Sequence, residues 1–129
     1  MARPLLLDTC ALLWLADASS RLSPAAREQI GNADNAFFSP ISAWEIAQKV
    51  ARGDLTLPAP PLEWFESLVA RYRLESIPLS LSVLVRATQL PWHHKDPADR
   101  FIIATALLHS LPVVTADSRF PAYGVETTV

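Results

Sequence analysis

Apolar and polar positions along the chain fall into two alternating registers. Leu5-Leu6-Leu7 is a short unbroken apolar run, as expected of a strand buried on both faces. Ala11 to Ala16 then predicts a first helix. Ser23-Pro24 has the cap-then-proline order of a helix start, continued to Ile30. Ala36 to Ser39 predicts a second strand stopped by Pro40. Ser42 to Arg52 predicts a helix with Trp44, Ile46, Ala47 and Val50 as apolar positions, ended by Gly53. After the proline-rich connection Leu57 to Pro61, too short for a domain boundary, Leu62 to Tyr72 carries Trp64, Phe65, Leu68 and Val69 on one side. Leu74 to Leu79 predicts a third strand, and Ser80 to Leu90 a helix stopped by Pro91. A loop at Trp92 to Lys95 precedes Asp96-Pro97-Ala98-Asp99, which opens a helix running to about Ser110. Pro112 to Thr115 predicts a fourth strand ending at Asp117, and Val125 to Val129 a last edge strand.

Strands alternating with helices imply a parallel sheet covered on both faces. The expected fold is three-layer α/β, with a central, mainly parallel sheet of four to five strands flanked by helices. The 129 residues have room for one core, so a single domain over 1–129 is expected. With 50% apolar and 19% charged residues the chain is not of the disordered class. Only 3 Gly stand beside 11 Pro, so prolines at element boundaries set most chain reversals. The single cysteine, Cys10, makes no internal disulfide and points to a reducing compartment. The run Leu5-Leu6-Leu7 is too short for a signal peptide, and Phe101 to Leu108 falls far below the roughly 18 apolar residues of a membrane span. A cytoplasmic, soluble protein with no membrane partner is expected.

Charge narrows the chemistry. The net charge of −2 carries no global basic footprint, so contact with RNA would run through local Arg and Lys or through metal ions. Ligands of open α/β sheets bind at the carboxyl ends of the strands. Asp8 follows strand one directly and Asp117 follows strand four. Glu45, near the start of the helix after strand two, and Asp99, in the first turn of the helix before strand four, can converge on the same edge. Crowded carboxylates repel unless a cation sits between them, and oxygen donors suit Mg²⁺ or Mn²⁺. Such an ion activates water and neutralises charge building on a phosphate, which points to hydrolysis of an RNA phosphodiester.

Each acid also has a plainer role. Asp8 can cap the first helix, Glu45 can pair with Lys49 one turn on, Asp99 suits the helix dipole, and Asp117 can cap the turn at Ser118-Arg119. None of these explains four acids at one sheet edge, and the metal site is the preferred reading. Asp96 is read as a helix cap. Thr9, Ser42 and Thr115 are candidate supports for the carboxylates, or ordinary cap hydroxyls. Arg100 is a candidate phosphate or partner contact, or half of a structural ion pair. His93 and His94 are read as loop residues open to RNA, with no third ligand at metal-binding spacing. Cys10 is read as a buried small residue, and Trp44, Trp64 and Phe65 mainly as core, with contact to a partner left open.

Leu-Leu-Asp8-Thr9-x-Ala-Leu-Leu-Trp14, Ser42-Ala-Trp-Glu45-Ile-Ala, His94-Lys-Asp96-Pro-Ala-Asp99-Arg100 and Val-Thr115-Ala-Asp117 come in the order seen in PIN-domain proteins. The chain resembles, more narrowly, the virulence-associated protein C (VapC) toxins, over nearly its whole length. The resemblance implies a PIN fold and an endoribonuclease using Mg²⁺ or Mn²⁺ held by Asp8, Glu45, Asp99 and Asp117. It further implies a cognate VapB-type antitoxin covering the acidic pocket, and a homodimer. Close relatives often carry His where this chain has Cys10, a position outside the family's metal ligands. An RNA-processing enzyme of the same chemistry and an inactive, binding-only PIN domain are the alternatives. A phosphatase of the haloacid dehalogenase type would want an acid at position 10, and a receiver domain a second acid near Asp8 and a late lysine.

Overall fold

Residues 3–129 are described in a computed structural model; Met1 and Ala2, at the head of the stretch read against a signal peptide, lie outside the described residues. Strand β1 (Leu5–Leu7) is buried along its whole length because it lies in the middle of the sheet. It pairs in parallel with β2 (Ala36–Phe38) on one side and β4 (Val113–Val114) on the other. β3 (Glu75–Ser76) and β5 (Thr127–Thr128) complete the edges, giving the order β3-β2-β1-β4-β5, all parallel. Leu7 stands opposite both Phe38 and Val114, so Asp8, Ser39 and Thr115 leave the sheet side by side at its carboxyl edge.

Alternation along β1 splits the core into two layers. Leu5 and Leu7 join Phe38, Val114, Leu12, Leu15, Ile46, Phe65 and Leu68 on the face covered by α1 (Thr9–Ala16), α2 (Pro24–Asn32), α3 (Pro40–Ala51) and α4 (Pro61–Tyr72). Leu6 and Val113 join Val83, Ala87, Ile102, Ile103 and Phe120 on the other face, under α5 (Leu81–Gln89) and α6 (Pro97–His109). A short 3-10 turn, Pro121–Tyr123, closes the path to β5.

The helix starts follow cap chemistry. Ser23, Ser39, Ser80 and Asp96 each accept a backbone N–H in the first turn that follows them. Pro40 therefore opens α3 as its first residue, ahead of the start expected at Ser42. β3 is shorter than the apolar run Leu74 to Leu79. Leu74 closes the end of α4, its N–H bonding the Val69 carbonyl past the left-handed Arg73 (φ 55°), and Pro78 has no N–H to carry the ladder beyond Ile77. No helix among the described residues is long and apolar enough to cross a membrane.

Candidate functional site

The carboxyl edge of the sheet gathers all four predicted acids. Asp8 ends β1, its N–H held by the Val114 carbonyl at 3.1 Å, and its Oδ1 accepts the Ala11 N–H at 2.8 Å. It thus caps α1 and stands at the site at once. Beside it the Thr9 and Ser42 hydroxyls bond each other at 2.9 Å, both buried, and tie α1 to α3. Ser42 lies one turn before Glu45, so that bond fixes the face of α3 that carries Glu45. Asp99 sits in the first turn of α6, and Asp117 just beyond β4, where its N–H donates to Thr115 Oγ1 at 3.0 Å.

The charges bear on one another. Burial above all pushes the Asp8 carboxyl up to about 6; Asp117 and Glu45 add to the push, and the Thr115 hydroxyl and Ala11 N–H offset part of it. Burial, and then the charges of Asp96, Glu45, Asp8 and Asp117, raise Asp99 to about 7. Glu45 makes no ion pair with Lys49 among the described residues, and its Oε1 is buried with no hydrogen-bond partner. An orphaned carboxylate oxygen beside two acids that resist ionisation is a donor set that a hard divalent cation fits.

Asp117 differs from the other three. Its Oδ1 accepts from the Arg119 N–H (2.9 Å) and Nε (3.0 Å), and its Oδ2 from Arg119 Nη2 (2.8 Å) and His94 Nε2 (2.8 Å). The Arg119 guanidinium, with its backbone N–H and His94, holds this carboxyl well below the usual range. A carboxylate has about four lone-pair sites, and here protein donors fill them all.

His94 is the residue that sequence reading passed over. It is 1% exposed, and its Nε2 also lies 3.0 Å from Asp99 Oδ2. The other two members of this three-residue cluster are Asp99 and Asp117, 5 and 23 residues away and joined to His94 only by the fold, which is why spacing around the His93-His94 pair does not reveal them. Arg119 was likewise unread, although a turn after Asp117 places it within reach.

Arg100 makes no ion pair among the described residues; its donors go to backbone carbonyls. It is 5% exposed, and its guanidinium donates to the carbonyls of Ala87, Leu90, Pro91 and His94 at 2.8–3.0 Å. Trp92 stacks over it at 4.1 Å. Cys10 is exposed, contrary to the buried reading, because the second residue of α1 turns outward, at the rim of the pocket where the charges of Asp8, Asp99 and Glu45 reach it. Partial burial of the sulfur and the charge of Asp8 push its thiol up, which disfavours the thiolate. Phe65 is core, Trp64 half-buried, and Trp44 56% exposed beside an apolar groove of about 650 Å³ between α3 and α4.

Among known proteins, residues 5–126 match the family model of the PIN domain. Over 119 residues the chain is 34% identical to "Ribonuclease VapC22" of Mycobacterium tuberculosis, covering 92% of this chain and 90% of that protein. The VapBC2 structure from Rickettsia felis, bound to a promoter DNA fragment, superposes with a TM-score of 0.74 at 14% identity over 97% of each chain. DNA-bound VapBC from Salmonella typhimurium superposes with a TM-score of 0.72 at 18% identity over 99% of this chain and 98% of that one. At such identities the two structures speak for the fold.

Proposed function

Because the chain belongs to the PIN-domain family, we propose that it is a divalent-metal-dependent endoribonuclease and the toxin of a toxin–antitoxin pair. The observation that carries this reading is the buried, unpartnered Glu45 Oε1 beside Asp8 and Asp99, two carboxyls raised to about 6 and about 7 by burial and by neighbouring charge. The likeness to a protein named as a ribonuclease supports the substrate class. The likeness to toxin–antitoxin structures supports a VapB-type antitoxin as partner. The reading takes the chain as one PIN domain acting in the cytoplasm, as a homodimer when free of its antitoxin.

Asp8, Glu45 and Asp99 would hold Mg²⁺ or Mn²⁺, whose hard, small ions suit an all-oxygen set, while Asp117, expected as the fourth ligand, is assigned a supporting place because its oxygens already meet Arg119 and His94. When bound, such an ion supplies an activated water and neutralises charge developing on the phosphate. The rest belongs to the chain. The Thr9–Ser42 bond keeps α1 and α3 in register, and so keeps Asp8 and Glu45 on one pocket wall. Thr115 helps hold Asp8 in its ionised form. Asp117, the fourth acid, acts through the donors it gathers, anchoring Arg119 and His94. A pocket walled by buried side chains strengthens each of these interactions relative to water.

Chelation is the direct test. RNA cleavage by the purified protein is expected to stop in EDTA and to return with Mg²⁺ or Mn²⁺. Cleavage that continues after complete chelation removes the metal mechanism, and a protein that cuts no RNA with either ion removes the ribonuclease reading.

A further inference from the structure

His94 is held on every side. Its backbone N–H donates to Tyr123 Oη at 2.7 Å, its carbonyl accepts from Arg100 Nη1 at 3.0 Å, and its ring meets Phe120 edge-on at 6.0 Å. The Asp96 N–H donates to His94 Nδ1 at 3.2 Å, while Nε2 faces Asp117 Oδ2 at 2.8 Å and Asp99 Oδ2 at 3.0 Å. Ligand atoms of His94, Asp99 and Asp117 all lie within 4.8 Å of one another, close enough to read as an imidazole–carboxylate metal cluster.

The backbone donor decides between the two roles. A nitrogen that accepts an N–H carries no proton, so the ring's proton sits on Nε2. A protonated Nε2 has no lone pair for a metal, but it can donate between two carboxylates. Coordination through Nε2 would move the proton to Nδ1, where it would face the Asp96 N–H donor to donor, a buried clash of two donors. We propose that His94 is a positioning residue: its Nε2–H ties Asp99 to Asp117 and aims Asp99 at the ion, while the imidazole stays outside the coordination shell. The inference rests on the metal reading above, and adds to it the residue that sets the direction of one ligand.

Ring nitrogen-15 shifts of the histidines report the tautomer directly, with the His94 signals identified by their loss in His94→Gln. Expected is a protonated Nε2 and a bare Nδ1 in the metal-free protein, unchanged on saturation with Mg²⁺. Any other pattern in either state overturns the proposal. Mn²⁺ affinity, read by electron paramagnetic resonance of the free ion, gives the second arm. His94→Leu is expected to weaken binding by roughly 10–100-fold, the usual effect of losing a group that orients a ligand. His94→Gln, which keeps an N–H at the end of the side chain, should recover most of that loss. No weakening in the first variant, or no recovery in the second, rejects the role; if His94→Leu does not fold, the nitrogen shifts of the wild-type protein decide. Failure of the enzyme reading shows up separately. A protein that binds Mn²⁺ and shows the expected tautomer yet cuts no RNA loses only the ribonuclease assignment, whereas one that binds no Mn²⁺ loses the metal site and this inference together.

Discussion

Asp8 and Asp99 are acids that the fold makes reluctant to ionise, and that reluctance has a measurable sign. A carboxyl raised from 3.8 to about 6 or about 7 keeps its proton in the folded chain after the unfolded chain has lost it. Stability therefore falls as pH rises through that window, and the loss is complete above about pH 7. Asp117 is shifted the opposite way, so its stabilising contribution is present above the ordinary carboxylate range and lost only as pH falls below it. The metal-free protein is expected to melt a few degrees lower at pH 8 than at pH 5.5, and Mg²⁺ should remove most of that difference. Asp99→Asn should flatten the melting profile while reducing RNA cleavage on the order of 10²–10³-fold, the scale of a lost transition-state contact. Asp117→Asn, which disturbs only the anchoring of His94 and Arg119, should cost about 10–100-fold. A steeper pH dependence in Asp99→Asn than in wild type would refute the assignment of the shift. The acids themselves were legible in the sequence, since a carboxylate directly after a strand or in the first turn of a helix has few places to go but the sheet edge. His94 was not. A lone buried histidine leaves no periodic trace, and its partners lie 5 and 23 residues away, joined only by the fold.

Element boundaries explain why those acids arrive together. Asp8, Ser39, Ser80 and Asp96 cap the helices that follow them; Asp8, Ser80 and Asp96 were visible as polar residues at a helix start, whereas Ser39 read as the end of a strand with the helix expected only from Ser42. Strand lengths were less legible, because Pro78 and the left-handed turn at Arg73 trim the ladder inside an apolar stretch that reads as longer. The join between α5 and α6 was hidden altogether. Arg100 reads as a phosphate or partner contact, or half of an ion pair, beside Asp99, yet it reaches back to carbonyls at the end of α5 and in the loop that follows, satisfying four acceptors with one fork. That fork also fixes the carbonyl of His94, so it supports the pocket from below. Arg100→Met keeps the apolar stem and removes the donors, leaving buried carbonyls unpaired at about 1–3 kcal/mol for each one that finds no water. The expected outcome is a urea midpoint lowered by an amount corresponding to on the order of 3 kcal/mol, a large share of the ordinary stability of a domain. A midpoint within error of wild type would mean that the loop between α5 and α6 is held by other contacts.

At the scale of the whole molecule, the charge balance constrains how RNA can approach. The chain carries 13 Asp and Glu against 11 Lys and Arg, and five of its acids, Asp8, Glu45, Asp96, Asp99 and Asp117, act on one another at the edge where the proposed chemistry sits. Among the described residues, the cations near that pocket are the exposed Arg119, already paired with Asp117, and Lys49, whose charge reaches Cys10 at the rim, so a phosphate entering it faces mostly carboxylates. Electrostatic attraction to RNA must then come chiefly from a bound divalent ion, and only secondarily from scattered basic side chains. Two consequences separate this from an ordinary basic-patch binder. Retention of a single-stranded RNA that cannot be cut should fall sharply on chelation and return with Mg²⁺. Its dependence on monovalent salt should stay shallow, because each lysine or arginine contact to a phosphate of a single strand adds only about 0.7 to the logarithmic slope, and few such contacts are within reach. RNA held equally well with and without the divalent ion, and released steeply by salt, would place the binding surface away from the acidic edge. The carboxylates would then have lost their substrate.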